Sequence, residues 1–173
     1  MKISKFIYQY GLFTGMVGII YGIMRFILDT HYEDDIISIS VGVSILLAGI
    51  ILGQLAYRKA NDGLVSYNEC LKIGVGIGLI SAIVSYIYLY IFSNIIEPDF
   101  NLKSIEIGFA KAMEADPEFL SRLCEIRKIC TQNEFIEMAL NNVWLQYPLG
   151  IAFVLFLSFM FSLCSGIVIK KSE

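Results

Sequence analysis

Cys124 and Cys130 are the residues of this 173-residue chain most open to covalent chemistry. Both fall in a polar stretch between apolar runs, where an oxidising compartment permits a disulfide. Six residues apart on one continuous helix, they face different directions and cannot reach each other. A bridge would need a break near Arg127-Lys128; free thiols on helical faces are the expectation. Cys70 and Cys164 lie at or near the other side and are expected to be reduced. Asp29, His31, Glu33, Asp34 and Asp35, with Glu97 and Asp99 on the same side, offer carboxylate oxygens and the only imidazole. That donor set could hold a cation, but a solvated acidic loop is the commoner outcome, so no metal is expected. Gly74-x-Gly76-x-Gly78 has the look of a phosphate loop. Leu79 and Ile80 break the dinucleotide pattern, and no strand precedes it, so helix packing is the better reading. Nucleophilic catalysis has little to use, since the sole histidine sits in a loop and no buried base accompanies a serine of the apolar runs. No enzymatic activity, catalytic residue or cofactor is expected.

The elements that must position these residues are membrane helices. The chain is 57% apolar and 17% charged, far too apolar for a soluble domain of this size. Four runs can cross a bilayer, at about residues 6–28, 36–57, 73–92 and 149–169. The first follows Lys2 and Lys5 as a signal peptide would, but its apolar region is too long and no small-residue cleavage site follows. It is expected to be retained. The third crossing organises the chain. Asn61-Asp62-Gly63 is a turn signal, and Ser66 with Glu69 has capping-box spacing. Glu69 and Lys72 can pair at i,i+3. The apolar run from Ile73 to Phe92 would span roughly 30 Å. Tyr86, Tyr88 and Tyr90 crowd its far end, and Glu97-Pro98-Asp99 stops the helix. The expected fold is all-α: a four-helix transmembrane bundle, one integral membrane domain over residues 1–173, with a helical extramembrane segment at about 93–148.

Charge sets the expected threading. Lys2, Lys5, Arg58, Lys59, Lys72, Lys170 and Lys171 share one side of a four-crossing chain, and the acids, apart from Asp62, Glu69 and Glu173, share the other. The positive-inside rule then places both termini in the cytoplasm of a bacterial inner membrane and residues 93–148 in the periplasm. The net charge of −3 hides this polarity and points to no nucleic-acid partner. Arg25 sits near the outer interface, where it can snorkel or pair with Asp29.

Small residues recur along every crossing. Gly11, Gly15, Gly18 and Gly22 form two small-xxx-small pairs on adjacent faces of the first. Gly49 and Gly53 lie on the second, Gly74, Gly78 and Ala82 on the third, and Ser158, Ser162 and Gly166 on the fourth. Such stripes let helix backbones approach closely, so a second copy or another membrane protein is a candidate partner beside the lipid bilayer. In the long segment, Asp116-Pro117-Glu118 starts a helix, and Thr131 with Glu134 makes a second capping box. The stretch Leu102 to Ala115 is a weaker helix because Gly108 interrupts it. These helices are expected on the membrane surface or against the helix ends, and Trp144 and Tyr147 anchor the last crossing.

Lys59-Ala60-Asn61-Asp62-Gly63, Ser66-Tyr67, Glu69, Lys72-Ile73-Gly74 with Gly78, and Ile96-Glu97-Pro98-Asp99-Phe100 resemble a bacterial membrane family known as domain of unknown function 4199. Asn61, Gly63, Ser66, Glu69, Lys72, Pro98 and Asp99 carry the motif. Members often have Asp where this chain has Glu97. The resemblance implies the same four-crossing plan and an origin mostly in the Bacteroidota, with no activity or cofactor. The function expected is a non-enzymatic membrane protein that packs with itself or a partner through its glycine faces. The alternative is a small transport or channel subunit, in which Gln54, Ser81, Ser85, Ser158 and Ser162 converge on a water-filled cavity. Against it, the apolar runs carry no ionisable group at mid-depth, and no inverted repeat is evident.

Overall fold

The apolar runs become long helices in the computed structural model, which describes residues 2–32 and 36–170. In chain order the helices are α1 (Ile3–Ile27), α2 (Ile36–Ala60), α3 (Tyr67–Ile91), α4 (Phe100–Ala115), α5 (Phe119–Arg127), α6 (Gln132–Asn141) and α7 (Gln146–Ile169). A π-helical turn, Phe92–Ile96, extends α3, and a 3-10 turn, Val143–Leu145, precedes α7. The helices that include α1, α2, α3 and α7 are each long and apolar enough to cross a membrane. Cα packing divides the chain into two units: Met1–Tyr88 with Leu149–Glu173, and Leu89–Pro148.

The first unit is a four-helix bundle with α3 at its centre. Contacts between α1 and α3 advance together: a Cβ at Gly76 would lie 2.7 Å from Ile7, one at Gly11 2.7 Å from Ile80, and one at Gly15 2.8 Å from Val84. Both helices advance by four residues per contact, so they run parallel. Between α1 and α2 the order reverses: Phe6 stacks edge-on against Tyr57 at 5.5 Å, Tyr10 meets Gly53, and Thr14 fills the space at Gly49. Between α3 and α7 it reverses too, with Cys70 beside Gly166, Gly74 against Ser162, Gly78 against Ser158 and Tyr86 against Gly150. The bundle is therefore up-down-up-down, and a cluster containing Phe6, Tyr57, Val65, Cys70 and Ile169 closes the end where both termini emerge. The outer surface is apolar: Ile20, Ile37, Phe153 and Val168 are 63%, 72%, 60% and 82% exposed. Soluble folds rarely leave such a surface bare.

The four glycines of α1 form one stripe, not two. Positions 11, 15, 18 and 22 stay within about 60° of one another at 3.6 residues per turn. All four meet α3, through Ile80, Val84, Ser85 and Tyr88. Both ends near the turns are closed by left-handed residues. At the end of α1, Asp29 has φ 56°, and the Asp29 and Thr30 amides donate to the carbonyls of Phe26 and Arg25 at 3.1 and 2.9 Å. This is a Schellman closure, and the Arg25 guanidinium donates to the Thr30 carbonyl at 2.7 Å. After α2, Asp62 and Gly63 have φ of 51° and 80°, and the Gly63 amide donates to the Arg58 carbonyl at 2.9 Å.

In the second unit, the Glu97 amide donates back to Phe92 at 2.8 Å, a π-type bond that ends the long helix before Pro98. Lys103 pairs with Glu97 at 3.1 Å. The helix expected over Leu102 to Ala115 forms as part of α4, which continues through Gly108. A Cβ there would meet nothing, so the glycine costs helix propensity without breaking the helix. Phe109, Phe119 and Phe135 form a triangle with centroids 5.1–6.2 Å apart, which ties α4, α5 and α6 together. Helix α5 opens at Phe119 instead of Pro117. The Asp116 carboxylate accepts from the Glu118 amide at 3.1 Å and pairs with Arg122.

Candidate functional site

The densest polar network lies at the turn between α2 and α3, where the sequence alternates polar groups with anchors. Val65, 1% exposed, pins the turn into the bundle. Asn61 donates to the Leu64 carbonyl at 3.0 Å, and Arg58 Nε to the Gly63 carbonyl at 3.1 Å. Ser66 and Glu69 form the expected capping box: the Glu69 amide donates to Ser66 Oγ at 3.3 Å, and the Ser66 amide to Glu69 Oε2 at 2.8 Å. The other carboxylate oxygen is occupied as well, because the Tyr57 hydroxyl donates to Glu69 Oε1 at 2.7 Å. Tyr57 as a cross-helix partner was not foreseen. An aromatic near a helix end is usually an interfacial anchor, and only packing brings it to Glu69. Lys72, expected to pair with Glu69, is exposed on α3 and acts on that carboxylate through its charge without a direct ion pair.

Gln54 and Cys70 lie one turn deeper, both 0% exposed. Gln54 Nε2 donates to the Cys70 carbonyl at 3.1 Å, while Oε1 meets no donor among the described residues. A carboxylate whose two oxygens are already hydrogen-bonded is a lock between helices; it is no poised base. The Cys70 thiol beside it is buried. The arrangement joins α2 to α3.

The chain matches the family model described as a protein of unknown function, DUF4199, over residues 9–171. The chain belongs to that family. No curated protein and no solved structure matches it. Of the motif residues, Asn61, Gly63, Ser66 and Glu69 build the α2–α3 turn. Pro98 and Asp99 belong to the second unit, between the π-turn and α4.

The expected small-residue contacts are made within the chain. Gly74 and Gly78 leave no room for a methyl, because the hydroxyls of Ser162 and Ser158 occupy it. Those hydroxyls are 0% exposed and donate to the carbonyls of Ser158 and Val154 at 2.6 and 2.7 Å. Ser81 donates to Gly78 at 3.0 Å, and Ala82 is buried at 2%. Gly53 faces Ile77, and Gly166 faces Tyr67.

Two further candidates end differently. Cys124 and Cys130 are joined in a disulfide, which corrects the expectation of free thiols. Helix α5 ends at Arg127, Lys128 turns left-handed with φ 61°, and this break at Arg127-Lys128 lets the chain fold back. Immediately after it, Thr131 and Glu134 form their capping box, and Glu134 Oε2 also accepts from the Cys130 amide at 2.7 Å. The backbone amides of Cys130 and Thr131 hold the Glu134 carboxyl below the usual range. Of the acidic loop, Glu33, Asp34 and Asp35 lie outside the described residues. His31 Nδ1 is 4.0 Å from Asp29, and its ring meets Phe26 edge-on at 5.1 Å and Tyr32 at a tilt at 4.1 Å.

Proposed function

We propose that this chain is a non-enzymatic, multi-pass protein of a bacterial inner membrane, with both termini cytoplasmic. Its glycine and serine faces assemble its own bundle, and the unit formed by α4–α6 lies in the periplasm and presents the surface for a protein partner. The observation that supports this reading is the fit of Gly74 and Gly78 to the Ser162 and Ser158 hydroxyls. A face consumed by the chain's own helix is not available to a second protein. The same fit weighs against a transport or channel subunit. Ser158 and Ser162 fill space instead of lining a cavity, and their hydroxyls are spent on their own helix, the usual fate of a membrane serine.

Paired substitutions followed by size-exclusion chromatography and thermal unfolding in detergent test this reading. Gly78→Ile should abolish the folded species. Gly42→Ile, at a helical glycine with nothing within 4 Å of a Cβ, should leave it intact. If Gly78→Ile keeps its melting temperature but shifts to a smaller assembly, the face belongs to a partner and the reading fails.

A further inference from the structure

The bundle end where both termini emerge carries basic residues from all four helices. Lys2 and Lys5 flank or begin α1, Arg58 and Lys59 close α2, Lys72 lies in the second turn of α3, and Lys170 follows α7. The contacts of Phe6 with Tyr57 and the common cluster with Val65, Cys70 and Ile169 bring these helix ends together. Five of the six are exposed and Arg58 is half-buried. Among the described residues, none of the six forms an ion pair. Among the described residues the acids at this end are two: Asp62, which is exposed, and Glu69, which bonds Tyr57 and Ser66 and whose charge also acts on Lys72. In the second unit two bases are paired within the chain, Lys103 with Glu97 and Arg122 with Asp116. The collar also borders the apolar spans directly, so in a bilayer it sits at headgroup depth, where the aliphatic stems can lie along the apolar surface and the ammonium groups reach outward.

We infer that this collar is a binding surface for anionic phospholipid headgroups of the surrounding leaflet. The chemistry fits: six cations, five of them exposed and none in a direct ion pair among the described residues, ring one bundle end close enough to the headgroup layer to attract a negative lipid. Cations that only direct threading need no such ring; a few on one side suffice for that. The inference rests on the reading that α1, α2, α3 and α7 span a bilayer, and it assigns the occupant of one end of that bundle.

Spin-labelled lipids provide the test. The full chain is reconstituted into vesicles of phosphatidylcholine and phosphatidylglycerol, and the immobilised fraction is measured for each labelled headgroup. Anionic lipid should be enriched about threefold over zwitterionic lipid at low salt. The preference should fall toward one at about 1 M salt, where the screening length is about 3 Å. The triple variant Lys59→Gln, Lys72→Gln, Lys170→Gln should lose most of it. The variant Lys111→Gln, Arg127→Gln, Lys128→Gln in the second unit should retain it. Equal immobilisation of both lipids by the parent chain overturns the inference and leaves the spanning reading standing. Equal loss in the two triple variants also overturns it, because the second unit then shares the binding. Absence of any immobilised lipid overturns the inference together with the spanning reading.

Discussion

A methyl group added at Gly74 or Gly78 would meet the hydroxyl of Ser162 or Ser158, and the bundle has no slack there. Gly78→Ala should therefore destabilise the fold by roughly 1–3 kcal/mol, the usual cost of overpacking. Chemical unfolding in mixed micelles would read this. Adding Ser158→Gly should recover part of the loss, because it removes the atoms in the way. Equal destabilisation in the single and double variants would show that the contact is not the cause. Glu134 gives a second prediction at this scale. Its carboxyl is held below its unfolded value by the Cys130 and Thr131 amides. That stabilisation is present above the unfolded pKa and is lost as pH falls through the lower, folded one. Amide exchange at the start of α6 should accelerate across that acid window, and Glu134→Gln should flatten the dependence.

At the scale of the element, the α5–α6 junction departs most from a pattern reading. The capping box at Thr131 was legible, because its residue types and spacing are local. The disulfide was not, because it depends on Lys128 adopting a left-handed conformation that a lysine adopts at a cost. Lys128→Gly should raise the stability of this segment by up to about 1 kcal/mol, since glycine meets no Cβ penalty there. Cys124→Ser should lower it by roughly 2 kcal/mol, the cost expected for opening a short loop. Thermal unfolding of the oxidised and reduced protein measures both. Helix α4 teaches the complementary lesson. Gly108 weakens intrinsic propensity, yet the Phe109 ring packs against Phe119 and Phe135 and carries the helix through.

For the whole molecule, threading is the property to test. A membrane-impermeant thiol reagent applied to intact cells should label Cys124 and Cys130 only after reduction. Cys70 is 0% exposed, so its silence would not report sidedness. An added Asn68→Cys, at an exposed site beside the α2–α3 turn, should stay unlabelled until the cells are opened. Labelling of that site in intact cells, with none at the reduced pair, would invert the orientation.

The sequence by itself determined the four long helices, because about 20 uncharged apolar residues can be satisfied only by burying their backbone polar groups in hydrogen bonds of their own. It also determined the turns and both capping boxes, whose partners lie three residues apart. The tertiary structure decided which faces meet. Whether Gly11 serves a second protein or Ile80, whether Tyr57 anchors in an interface or bonds Glu69, and whether Cys124 reaches Cys130 are questions about partners distant in the chain or about a single backbone dihedral. No periodicity encodes either, because they are settled only when the helices pack and each small residue finds the side chain that fills its space.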